Sequence, residues 1–297
     1  MKKYITIFIL LFAFVANAQV TANRFFYELT YKPKKDSAKT EKVMSVLDIT
    51  PEKSFFQDYT FIAQDSLTKV KMEEMQKTQA YKDIRKDIKM PKFSYKVTKT
   101  YPTMELQYKE GILNGMSVVY IAYNELPKFD WKIESETQKI GEYRTQKATT
   151  SFGGRNWIAW FSKDITLQDG PYKFSGLPGL IVKVEDTEKN YSWELKGNKP
   201  VPDFTEYSYI EKTMAGSSPK VLELDREKFE IKFNEFKQNP FGSIRSQIPA
   251  EMMNKVMPGN DKTIAELLRD EEKKQNDIFS ANNNPIELPG ITTKKKK

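Results

Sequence analysis

The residues whose type and spacing suit proton chemistry are two acid pairs, Glu134 with Glu136 and Glu185 with Asp186. Glu134 and Glu136 share one face of a strand, close enough to perturb each other as a general acid and base require. The plainer reading of that spacing is a row of solvent-facing charges. Asp164, Asp169 and Asp186 offer oxygen ligands for calcium, but they have neither EF-hand spacing nor a repeat. Histidine and cysteine are absent from all 297 residues. That removes Ser-His-Asp and Cys-His nucleophiles, zinc sites of the Cys/His type and disulfides. No phosphate loop, dinucleotide fingerprint or G-x-S-x-G elbow occurs. A hydrolase working with carboxylates alone survives this exclusion, although no motif favours it. The expectation is a protein that is not an enzyme and uses no metal or cofactor.

A bend in the middle of the chain offers binding chemistry instead. Gly170, Pro171, Gly176, Leu177, Pro178, Gly179, Leu180 and Ile181 set glycines and prolines among large apolar residues, a composition unlike a solvated loop. Gly176 and Gly179 permit positive φ or close backbone approach, while Pro178 biases Leu177 toward extended geometry. Leu177 and Leu180 are then either presented at a pocket or buried in a corner between strands. Upstream, Trp157 and Trp160 fall on opposite faces of one strand. Trp157, Trp160, Leu177 and Leu180 are the candidate lining or gate of a pocket, with Arg155 and Lys173 as candidates to meet a polar head group. The alternative for Arg155 is an ordinary charge near a turn, paired with Asp164 or Asp169.

These residues need a β framework, and the sequence supplies its period. Phe25, Tyr27, Leu29 and Tyr31 alternate, and similar short runs recur over 43–49, 54–61, 93–100, 104–108, 116–123, 131–137, 143–150, 157–162, 180–186, 191–195 and 205–210. Helices are expected over 66–89, over 225–236, where Phe229, Phe233 and Phe236 share a face, and over 263–278. The fold class is mainly β with appended helices, a curved antiparallel sheet or open barrel. Residues 19–280 read as one domain followed by a polar, lysine-rich tail over 281–297.

The formal charge of +8 is concentrated at the ends, since Lys2, Lys3 and Lys294 to Lys297 account for six of it and leave +2. A nucleic-acid partner needs a basic face on the folded body, so none is expected. Residues 1–18 carry lysines, an apolar run and then Ala16-Asn17-Ala18, the order of a secretory signal cleaved after Ala18. The run is shorter than the ~20 residues that span a bilayer. No cysteine follows for lipidation. Export to a periplasm or the exterior follows, with no transmembrane segment in the mature chain and oligomeric state left open.

The run Gly176 to Ile181 spells GLPGLI, preceded by GPYKFSG and followed by VKVEDTEKNYSWEL. It resembles the GLPGLI family of secreted Bacteroidota proteins, and the likeness extends to Trp131-Lys132-Ile133, Tyr143 to Ala148, Gly154-Arg155, Trp160 to Ile165 and the closing Asn284-Pro285-Ile286-Glu287-Leu288. Many members have glycine where Glu142 stands and cysteine where Thr145 stands, so a thiol, redox or metal role of that cysteine has no counterpart here. The family has no established activity. Its strand pattern is similar to that of lipoprotein carriers, open β barrels with helices over the concave side, an analogy of fold. The expected function is a secreted or periplasmic, non-enzymatic protein that binds an acyl chain or apolar segment of an envelope component. The alternative is docking on an outer-membrane or surface partner through the bend or the C-terminal helices.

Overall fold

Alternation along each strand sorts the side chains between two faces of one sheet. In a computed structural model, which describes residues 20–79, 89, 91–114, 117–209, 211–212, 219–256 and 261–289, Phe25, Tyr27, Leu29 and Tyr31 of β1 (Ala22–Tyr31) are at most 3% exposed and join a single apolar cluster. The face they define is the inner face. β2 (Glu41–Ile49), β3 (Lys53–Asp58), β4 (Lys96–Thr100), β5 (Glu105–Asn114) and β6 (Ser117–Glu125) extend the sheet on one side of β1. On its other side lie β11 (Tyr191–Val201), β10 (Leu180–Asp186), β9 (Arg155–Ser162), β8 (Tyr143–Phe152) and β7 (Lys132–Ile140). The twelfth strand, β12 (Val221–Glu223), pairs in parallel with β6, while the other pairings are antiparallel. The sheet is curved and unclosed, with β12 at one edge and β7 at the other.

The helices follow local signals. α1 (Thr60–Ala63) and α2 (Asp65–Thr78) lie after β3; the expected helix over 66–89 is seen as far as Thr78, and 80–88 lie outside the described residues. α3 (Arg226–Gln238) starts where the Asp225 carboxylate accepts the Lys228 backbone N–H at 2.8 Å, an N-cap. Its Phe229 packs edge-on against Tyr123 of the inner face, ring centres 4.8 Å apart. Two short turns, α4 (Gly242–Arg245) and α5 (Ala250–Met253), precede α6 (Ile264–Ala281), which opens with a capping box between Thr263 and Glu266.

Three expectations change. The run 205–209 alternates in sequence yet is not a strand, and residue 210 lies outside the described residues. Glu206 and Glu211 are instead drawn down onto the outer face, where they meet the buried ammonium groups of Lys109 at 2.7 Å and Lys96 at 2.6 Å. Desolvating two adjacent lysines costs more than a strand's hydrogen bonds return unless each finds an anion. The second change concerns the tail. Asn284 and Ile286 are only 4% and 8% exposed, so the stretch before the terminal lysines is part of the body; 290–297 lie outside the described residues, as do 1–19, where the export signal is expected. The third is an added strand, β12, too short to show a period.

The bend is fixed by backbone packing. Gly179 has φ +149°, and a Cβ there would lie 2.1 Å from the Ser162 carbonyl oxygen. Gly176 also has positive φ, +86°, but faces open space. Gly179→Ala should therefore cost at least about 3 kcal/mol of unfolding free energy in urea, against about 1 kcal/mol for Gly176→Ala. Equal losses at the two positions would show that the backbone contact at Gly179 is not the constraint.

Candidate functional site

Two buried lysines tie the bend to the sheet, Lys99 from β4 and Lys173 from the bend itself. Lys99 of β4 points inward and donates to the Asp169 carboxylate at 2.5 Å and to the Gly170 and Phe174 carbonyl oxygens at 2.8 and 2.9 Å. The Tyr101 hydroxyl donates to the other Asp169 oxygen. Burial lowers the Lys99 pKa, and Asp169 works against that fall. Lys173, within the bend, is 0% exposed and lies 2.5 Å from carboxylate oxygens of both Glu125 and Glu287. Its ammonium also lies 5.0 Å from the ring centre of Tyr108 and 5.1 Å from that of Tyr123. Burial opposes the charge, but Glu287, Tyr123 and Glu125 outweigh it and hold the Lys173 pKa above the ordinary lysine value. Arg226 of α3 bridges Glu125 at 3.1 Å and Glu287 at 2.8 Å. Burial likewise disfavours charge on Glu287, yet Lys173 and Arg226 bring its pKa down to about 2.

Arg155 performs a similar task at the neighbouring turn. It is 8% exposed, lies 3.3 Å from Asp186, and donates to the Asn284 side chain and to the Pro285 and Ile286 carbonyl oxygens at 2.7–3.0 Å. The C-terminal segment is thereby sewn onto β9 and β10, and the Leu288 N–H adds a bond to the Gly153 carbonyl oxygen at 2.8 Å.

Each candidate from the sequence thus has a definite place. Trp157, Leu177 and Leu180 are at most 1% exposed within the inner cluster, with Phe174 against Trp157 at 4.8 Å between ring centres. Trp160 is 6% exposed on the opposite face. Of the two readings of the bend, the packed corner is the one its side chains adopt. Arg155 pairs with Asp186 rather than Asp164 or Asp169, and Lys173 meets the chain's own carboxylates. Asp164, Asp169 and Asp186 do not converge; each faces its own cation, Arg144, Lys99 and Arg155 respectively. Among the described residues no cluster of acidic side chains is arranged to hold a metal ion. Glu134 and Glu136 both bridge Lys147, at 3.3 and 2.8 Å. Thr145, at the family's cysteine position, is buried and donates to the Gln138 carbonyl oxygen at 2.8 Å.

Open space lies elsewhere, between the rim of the inner face and α6. A cleft of about 680 Å³ is lined by Tyr31, Pro33, Lys34, Lys39, Glu41, Pro91 and Lys92 from the sheet side and by Asp277, Ile278 and Ala281 from the helix. None of the eighteen residues of α6 is fully buried, and Ile278 is 51% exposed. Lys92 donates to Glu41 at 2.9 Å and is the leading cause of the lowered Glu41 pKa. The sequence did not reveal this cleft, since its walls come from separate turns and a helix end.

A family model described as "Protein of unknown function (Porph_ging)" matches residues 153–183, the stretch from the β8–β9 turn through the bend. The chain is similar to that family over this stretch. The resemblance read from GLPGLI is met there, in a Bacteroidota family of unknown function. No curated protein matches the sequence. Among solved structures, one of PNGF-II in space group C2 is similar at a TM-score of 0.50 and 14% identity, over 73% of this chain and 33% of that chain. Another, of PNGF-II in P21, has a TM-score of 0.47 and 15% identity, over 75% and 34%. The chain spans about a third of the length of these solved chains. At such identity the C2 likeness is one of fold.

One buried acid of the inner face gives the fold a distinctive pH response. Glu110 of β5 accepts from Ser94 at 2.5 Å and Tyr108 at 2.9 Å, and burial pushes its pKa up to about 7. Between the ordinary value of 4.5 and about 7 the folded chain keeps a proton that the unfolded chain releases. This group's contribution to stability therefore falls as pH rises through that window. Glu287 has the opposite sign, stabilising above 4.5 and losing its contribution as pH drops toward 2. Glu110→Gln, whose amide oxygen accepts from one hydroxyl and whose N–H donates to the other once that hydroxyl turns, should be nearly neutral at mildly acidic pH and more stable than the parent at mildly alkaline pH, by on the order of 3 kcal/mol at most. Urea unfolding at both pH values checks this; a difference independent of pH contradicts it.

Proposed function

We propose that the chain is an exported, non-enzymatic binding protein of the cell envelope, and that the cleft beneath α6 holds an acyl chain or other apolar segment of an envelope component. The observation that carries this reading is the cleft itself. Its volume of about 680 Å³ is that of a site for a small ligand. Its lining combines an aromatic ring, two prolines and apolar residues of a helix that has no fully buried residue with the charged groups of Lys34, Lys39, Glu41, Lys92 and Asp277. The export signal supports an envelope address, and helices over the inner face of an unclosed sheet accord with the carrier-like analogy. Docking through the bend is less well supported, because Leu177 and Leu180 are spent on the core. No helix among the described residues is long and apolar enough to cross a membrane.

Displacement of an environment-sensitive acyl fluorophore from the detergent-free protein tests the reading. Ala281→Trp, which fills the cleft from α6, should weaken binding about tenfold or more, roughly the loss of one well-buried apolar contact. Leu177→Asn should lower stability while the folded protein keeps its affinity. Undiminished binding in Ala281→Trp together with lost affinity in folded Leu177→Asn would move the site back to the bend.

A further inference from the structure

The walls of the cleft are not alike, and the difference bears on its ligand. The β1–β2 connection and its flanks, residues 32–42, hold five lysines, Lys32, Lys34, Lys35, Lys39 and Lys42, against Asp36 and Glu41. Some of these charges are already matched. Lys42 lies 2.9 Å from Glu28, Lys92 joins Glu41 at the same distance, and Lys32 donates to the Glu188 carbonyl oxygen at 3.4 Å. Lys34 and Lys39 line the cleft and are exposed, and neither lies within ion-pair distance of a carboxylate among the described residues. The sheet side of the lining is therefore cationic, Lys34, Lys39 and Lys92 against Glu41, which pairs with Lys92 and also feels the Lys39 charge.

The same lining holds apolar residues. The Tyr31 hydroxyl donates to Glu41 at 3.4 Å, and the Tyr31 ring stacks on Tyr191 and tilts against Phe93, which fixes it. Ile278 and Ala281 face it from α6. The acid on that wall, Asp277, is exposed and lines the same cleft as the lysines. Lysine ammonium groups and apolar side chains in one lining match a molecule with an anionic head and a hydrocarbon tail. A neutral lipid leaves the lysines without an anion, and a free anion leaves the slot empty.

We propose that the cleft selects anionic amphiphiles, a carboxylate or phosphate head lying between Lys34 and Lys39 and an acyl tail running past Tyr31 toward Ile278 and Ala281. This deepens the cleft reading and rests on it. The head stays partly in water, so its attraction is moderate and weakens with salt. Asp277 works against it and sets a limit on affinity.

Competition against the acyl fluorophore, with the full exported chain, tests this using dodecanoate, dodecyl phosphate, dodecanol and inorganic phosphate. The two anionic amphiphiles should displace the probe about three- to tenfold more tightly than dodecanol at low salt, and the preference should shrink at high salt. Lys34→Ala with Lys39→Ala should abolish the preference while leaving dodecanol unchanged, and Asp277→Asn should strengthen it. A phosphate preferred over the carboxylate points to a phospholipid-type source, the reverse to a free fatty acid, and either supports the proposal. Equal affinity for dodecanol and dodecanoate overturns the anionic selection while the cleft reading stands. Displacement by inorganic phosphate as effective as by dodecyl phosphate overturns the need for a tail. If no amphiphile displaces the probe and Ala281→Trp leaves probe binding intact, the cleft reading fails and this proposal falls with it.

Discussion

Two ammonium groups without access to water, those of Lys99 and Lys173, govern how this chain packs. A buried lysine is tolerated only where carboxylates and carbonyl oxygens replace its hydration, and both requirements here are met across the bend. Lys99 reaches from β4 to Asp169 and to two backbone carbonyl groups of the bend. Lys173 reaches from the bend to Glu125 on β6 and to Glu287 near the C-terminus. The two ties pull the bend over the inner face, where Tyr172, Phe174, Leu177 and Leu180 close the core. Such pairs need not add net stability over apolar residues of equal size, but losing one partner strands a charge. They specify one docking of the bend.

The same logic ties the end of the chain to its middle and, through that, shapes the cleft. Arg155 and Asp186 hold Asn284, Pro285 and Ile286, while Lys173 and Arg226 hold Glu287. α6 ends at Ala281, only a few residues before that anchor; at its start the Ile264 N–H donates to the Lys255 carbonyl oxygen, and midway along it Arg245 pairs with Glu272. A helix secured near both ends has no need to bury its own face completely. It lies across the rim, and the space left between it and Tyr31 is the cleft. The buried polar network and the open site are thus connected, although they lie in different parts of the fold and share no residue among those that line the cleft.

Much of this was legible in the sequence, because a strand with one buried face writes its period into the chain. Phe25, Tyr27, Leu29 and Tyr31 announce β1, and Trp157 and Trp160 fall on opposite faces as their spacing requires. Asp225 and Thr263 mark two helix starts. The stiffness of the bend was readable from its glycines and prolines, but whether its leucines faced a pocket or the core depended on partners far away in the sequence. Lys173 illustrates the limit. As an isolated residue it suits a polar head group, and only the fold brings Glu125 and Glu287 to it. The alternation over 205–209 misled for a related reason, since Lys96 and Lys109 draw Glu206 and Glu211 to the outer face. The cleft had no sequence signature because a turn and a helix end, each unremarkable alone, make its two walls.

The account divides the molecule into a bend that closes the core and a cleft that receives the ligand. Photocrosslinking with an acyl chain bearing a diazirine near its tail, followed by mapping of the labelled peptides, tests that division most directly. Labels on Tyr31, Ile278 or Ala281 and none between Gly170 and Ile181 are the predicted result. Labels concentrated on Trp157, Leu177 or Leu180 would contradict it and make the bend the binding site.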